Sequence, residues 1–97
     1  MAKATRTQVY EAIDSERDYQ DRMEGNAKGG DAPENPEAGM GLHKGVVLMQ
    51  AYMDKLVAAC ALPFPQCRDE SLNILRKVVA LGVKTMEQNG APRRALS

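Results

Sequence analysis

Residues 69–90 read DESLNILRKVVALGVKTMEQNG. Leu72, Leu75, Val79 and Met86 recur at helical spacing, and Ile74, Val78 and Leu81 widen that stripe. Asp69 is suited to accept hydrogen bonds from the free N–H groups of a first turn, and Glu70 adds negative charge near the positive helix end. Asn89-Gly90 supplies a left-handed stop, and Pro92 forbids continuation. The stretch predicts a helix about 30 Å long whose stripe faces a core. Gly82 sits on the stripe and costs roughly 1 kcal/mol against alanine. Close approach of a second helix is the favoured reading of that glycine, and room for a ligand is the sharper one.

Upstream, Leu42, Val46, Met49, Met53, Leu56 and Cys60 form a second stripe, which predicts a helix over 42–62. Pro63-Phe64-Pro65 ends it sharply, and the short connection to Asp69 predicts an antiparallel helical hairpin. Val47, Leu48, Tyr52 and Val57 extend apolar character around this helix, so it can pack on its own chain and on a neighbour. Gly45 in its first turn allows close backbone approach. Cys60 lies on the stripe and reads as a buried reduced thiol. With only Cys60 and Cys67, and neither CxxC spacing nor a histidine pair, a zinc site is not expected.

The N-terminal helix is expected to follow a frayed start at Met1–Arg6 and to run to about Glu24. Thr5 with Gln8 fits a capping box, and Thr7 is a second candidate cap. The apolar positions of this helix are Val9, Ala12, Ile13, Tyr19 and Met23, and their stripe passes through Glu16 and Gln20. Polar groups on a core-facing side need partners, because burying them unpaired costs about 2 kcal/mol or more. Two readings stand level. One is an ion pair with Arg76 or Lys77 from another helix. The other is a polar patch facing a ligand at the helix seam. Arg17 and Asp18 read as solvated or paired locally at i,i+4. Residues 25–41, GNAKGGDAPENPEAGMG, hold five glycines and two prolines in 17 residues and predict a flexible loop.

At 97 residues the chain is one all-α domain of three helices. A core that small is marginal alone, so a homo-oligomer is expected. Formal net charge is zero, which disfavours general nucleic-acid binding. Residues 1–41 carry five basic and nine acidic side chains, net −4; residues 42–97 carry eight basic and four acidic, net +4. The two parts should attract, and the basic part could face a small anion. No secretory signal or membrane-length apolar run is present in the sequence, and a soluble intracellular protein is the simplest expectation. Candidate anion contacts are Lys28 in its glycine-flanked setting, His43 and Lys44 at a helix start, and Arg76 and Lys77 beside apolar positions. His43 is the only histidine, and no nucleophile–base pair accompanies it.

Three pieces taken together carry a resemblance: Glu16-Arg17-Asp18-Tyr19-Gln20, His43 with Gly45, and Arg76-Lys77 followed by Met86-Glu87-Gln88-Asn89-Gly90 and Pro92-Arg93. The chain resembles small bacteriophage proteins with an ERxYQ helix and a C-terminal MEQxGxPxR segment, distantly similar to MazG-like nucleotide pyrophosphohydrolases. The likeness covers most of the chain apart from the glycine-rich loop. MazG-like enzymes hold magnesium with ExxE and ExxD pairs on facing helices, since a hard cation needs several oxygen ligands. Glu16 and Gln20 do not make an ExxE pair, the second helix offers only Asp54, and Glu70 and Glu87 lie far apart.

The resemblance therefore implies a phage-encoded, non-catalytic nucleotide-binding protein in the cytoplasm of the infected bacterial host, one that sequesters a nucleotide immune signal as an anti-defence sponge. Its pocket is expected at a subunit seam. Arg17, Lys28, Lys44, Arg76 or Lys77 would neutralise phosphates, Tyr10 or Tyr19 would stack a base, and Gln20 or Glu16 would read its edge. His43 completes the expected site, and no cofactor is expected. One alternative is a reduced magnesium-dependent triphosphate pyrophosphohydrolase with Glu16, Asp54 and Glu87 as ligands. Another is a helical adaptor that binds a host protein through the second helix.

Overall fold

A computed structural model describes residues 3–27 and 41–95. Three helices follow in order: α1, Arg6–Ala27; α2, Leu42–Cys60; and α3, Gln66–Asn89. No strand occurs among the described residues, so the domain is all-α, as its periodicity predicts. α3 is the central element. α1 and α2 each pack on α3 and make no backbone-level contact with one another. α2 runs antiparallel to α3: Gly45 meets Thr85, Met49 lies beside Gly82, and Cys60 Sγ lies 3.4 Å from Ser71 Oγ. α1 runs in the same sense as α3. Its first half shares a groove with Leu72 and Val79, and Arg17 reaches Glu87 further along.

The helix ends follow local chemistry. The Thr5 N–H donates to Gln8 Oε1 at 2.8 Å and the Gln8 N–H donates to Thr5 Oγ1 at 3.1 Å, which is the expected capping box. α1 continues through Ala27, beyond the expected end near Glu24, so the expected loop loses its first three residues to helix. Residues 28–40 of that loop lie outside the described residues. α3 begins at Gln66, three residues before Asp69, and Pro65 at its N-cap makes no side-chain cap bond. Asp69 is thus a first-turn residue and not the cap. Its charge still lies near the positive helix end. The Phe64–Pro65 peptide is cis. Gly90, with φ 121°, closes α3 as expected, and its N–H donates to the Met86 carbonyl at 2.8 Å.

Burial departs from the expected stripes. Leu72, Leu75, Val79 and Met86, the stripe expected to face the core, are 38–49% exposed, whereas Ala80, Leu81 and Thr85 are buried. The reason is angular. At about 100° per residue the stripe occupies an arc of roughly 60° on α3. α2 covers the arc around Val78 and Thr85, and α1 covers the arc of Arg76, Ala80 and Glu87. The first half of α1 borders Leu72, Leu75 and Val79 across an open groove without burying them, and α2 leaves the stripe uncovered. Cys60 is likewise exposed, against its reading as a buried thiol.

The close approach of α2 and α3 is at Gly45. A Cβ there would collide with Thr85 Oγ1 and lie 2.8 Å from Thr85 Cγ2. At Gly82 a Cβ would meet only Met49 Sδ, at an ordinary 3.6 Å.

Candidate functional site

Two ion pairs join α1 to α3. Glu16 and Arg17 are adjacent in α1, about 100° apart around its axis, and both are buried. Arg76 Nε donates to Glu16 Oε1 at 2.9 Å, and Arg76 Nη1 donates to Asn73 Oδ1 at 2.9 Å. Of the two readings of Glu16, the interhelical ion pair with Arg76 is present.

Of the two readings of Arg17, the local i,i+4 pair is present, with Asp21, but the side chain is buried and also pairs across helices. Its Nε and Nη2 donate to Glu87 Oε1 and Oε2 at 2.8 and 3.3 Å. Nη2 also donates to Asp21 Oδ1 at 2.9 Å, the i,i+4 partner, and Nη1 donates to Gln20 Oε1 at 3.1 Å. α1 therefore lays both residues against α3, and the planar guanidinium can satisfy three acceptors at once. No buried side-chain nitrogen or oxygen among the described residues lacks a partner.

These bonds set the local electrostatics. The hydrogen bonds of Arg17, with a smaller contribution from its charge and from Lys84, hold the Glu87 carboxyl below the usual carboxylate range against a modest desolvation effect. The Glu87 hydrogen bond raises the Arg17 guanidinium further, opposed by its burial and reinforced by Asp21.

Beside the Glu16–Arg76 pair lies a hollow of about 240 Å³, lined by Glu16, Tyr19, Gln20, Tyr52, Lys77 and Leu81. All three helices contribute to it. Lys77 is half-buried and its ammonium makes no ion pair among the described residues. The Tyr52 ring carries the Lys55 ammonium over it, 4.9 Å from its centroid. The hollow thus offers two phenol rings, an amide, a paired carboxylate and a cation.

Of the residues expected to form a site, Glu16, Tyr19, Gln20 and Lys77 converge here, with Arg17 and Arg76 committed to ion pairs next to them. Tyr10, 61% exposed on α1, does not line the hollow, and neither do the exposed His43 and Lys44 at the start of α2. Lys28 lies outside the described residues. Sequence reasoning missed Tyr52 as a lining residue, having read it only as added breadth on α2. It also missed Glu87 as the partner of Arg17. Both depend on cross-helix register, which periodicity does not carry.

The three carboxylates of a magnesium reading do not converge among the described residues. Glu16 is held by Arg76, Glu87 by Arg17, and Asp54 accepts from Gln50 Nε2 at 3.0 Å. No protein-family model matches the chain, and neither does any curated protein or solved structure.

Proposed function

We propose that this chain is a non-catalytic nucleotide-binding protein whose site is the hollow at the seam of the three helices. The observation that carries this reading is Lys77: a half-buried cation, free of an ion pair among the described residues, in one concavity with Tyr19, Tyr52 and Gln20. A phosphate would take Lys77. A base would stack on a tyrosine, an interaction worth about 1–3 kcal/mol per base, with Gln20 at its edge. The 240 Å³ volume lies below the ~300–1,000 Å³ of drug-sized sites, which suits one part of a nucleotide per chain. Zero net charge fits a small-molecule ligand better than a nucleic-acid backbone.

Following the resemblance to small phage proteins, the biological role in this proposal is sequestration of a nucleotide immune signal in the cytoplasm of an infected bacterium. No described helix is long and apolar enough to cross a membrane. A hydrolase is the weaker reading, because the carboxylates that would bind magnesium are each engaged by another side chain.

The test is a thermal-shift panel of mononucleotides, cyclic dinucleotides and cyclic ADP-ribose isomers, run beside a pyrophosphate-release assay with magnesium and manganese. The proposal expects at least one ligand to raise the melting temperature without being turned over. A panel with no shift removes the proposal, and triphosphate turnover that disappears in Glu16→Ala replaces it with the enzyme.

A further inference from the structure

We propose that a second copy of this chain covers the apolar face shared by α2 and α3. This inference goes beyond the nucleotide site and stands on a different part of the molecule. On α2, Leu42, Val46, Met53 and Val57 fall within about 60° of arc and are 37–67% exposed. On α3, Leu72, Leu75, Val79 and Met86 fall within a similar arc and are 38–49% exposed. Met49 and Cys60 border the first stripe, while Gly82 and Ser71 border the second. The contacts of Met49 with Gly82 and of Cys60 with Ser71 therefore place both stripes on one side of the hairpin. No charged residue falls within either stripe between its first and last members.

Three arguments select another copy as the occupant. The first is the weakness of the protomer's own core. Among the described residues no large side chain is fully buried, so the fold needs a cover that is present whenever the chain is, and a second copy meets that condition. The second is area. α2 has 19 residues, about 28 Å of helix, and two helices each about 10 Å wide offer roughly 560 Å² in projection. That approaches the ~800 Å² of accessible surface per partner in a standard interface. The third is chemistry. An uncharged face is complementary to itself, so a two-fold pairing lays apolar on apolar and desolvates no charge. Two antiparallel hairpins joined in this way make a four-helix bundle, with the first half of α1 along its edge on each copy, where Val9, Ala12 and Ile13 border Leu72, Leu75 and Val79.

The test uses the full chain without nucleotide, so failure of the seam reading leaves its outcome unaffected. Light-scattering mass is read first, then the rate of methionine oxidation by peroxide, residue by residue. The expected mass is a whole multiple, two or more, of 10.6 kDa. Met53 and Met86 should oxidise about tenfold more slowly than Met23, which is 50% exposed on α1. Val57→Glu should lower the mass to that of a single chain, while Phe64→Glu, in the exposed linker, should not. A single-chain mass for the wild type at tens of micromolar would overturn the inference and leave the face to a different protein. So would an assembly in which Met53 and Met86 react as fast as Met23. The oxidation rates come from unmutated protein and decide the matter even if Val57→Glu fails to fold.

Discussion

At the seam of α1 and α3, Glu16 and Arg17 are 6% and 7% exposed; on the outer face of the α2–α3 hairpin, Leu72 and Val57 are 49% and 67% exposed. The contents of inside and outside are partly exchanged. Burial in this chain follows which helix has a neighbour and not which residue is most apolar. The seam uses opposite polarities: an acid of α1 meets a base of α3 at Glu16–Arg76, and a base of α1 meets an acid of α3 at Arg17–Glu87. Sliding or turning α1 would break both pairs. Each pair joins a buried side chain to a more exposed one, Glu16 to Arg76 and Arg17 to Glu87, and such pairs add little net stability relative to apolar packing, so their value here is in fixing register. The hairpin achieves its register by shape, with Gly45 against Thr85.

That contrast can be broken from either side. Arg76→Ala should have the largest effect, destabilising the domain by about 3 kcal/mol, because it strands the buried Glu16 carboxylate. Urea denaturation at pH 7 checks it, and a loss under about 1 kcal/mol would mean that water reaches the seam freely. Gly45→Ala should cost about 2 kcal/mol by forcing α2 away from Thr85, despite the better helix propensity of alanine. Thr85→Ala removes the two atoms that collide, so the double variant should recover most of that loss in a double-mutant cycle.

Glu87→Gln is a milder cut, under about 1 kcal/mol, because the Glu87 side chain is 54% exposed. Its sign with pH is fixed. Glu87 titrates lower when folded, so its contribution is complete above the unfolded value of ~4.3 and is lost as pH falls through the lower folded value. Wild type should therefore exceed Glu87→Gln in stability at pH 7, and the gap should close toward pH 3. Thr5→Ala, which removes the capping-box hydroxyl, should cost about 0.5 kcal/mol and leave both the seam and the face intact. Circular dichroism melts resolve that difference.

The three helices and the hairpin were legible because apolar spacing, prolines and Asn89-Gly90 act locally. The start of α3 was misplaced because Asp69 has good cap chemistry, while the turn at Pro65 admits the helix earlier. The stripes were legible as stripes, but their partners were not. Periodicity identifies an apolar arc without saying which helix, or which copy, will cover it. At the seam, Glu16 with Arg76 was one of two readings because a carboxylate on a core-facing stripe needs a cation. The cross-helix pairing of Arg17 was not legible, since its partner Glu87 lies 70 residues away and shares no local pattern with it. Tyr52 escaped for the same reason: it reaches the hollow only because α2 and α1 flank the same helix.

We propose that Lys77 makes the seam a nucleotide site. Calorimetric titration of the most stabilising nucleotide into wild type and Lys77→Met tests it most directly. The wild type should bind saturably, with affinity weakened at least about tenfold in Lys77→Met and both proteins equally folded. Equal affinity for the two proteins would contradict it, because the ligand would then sit away from the one hollow cation on which the claim rests.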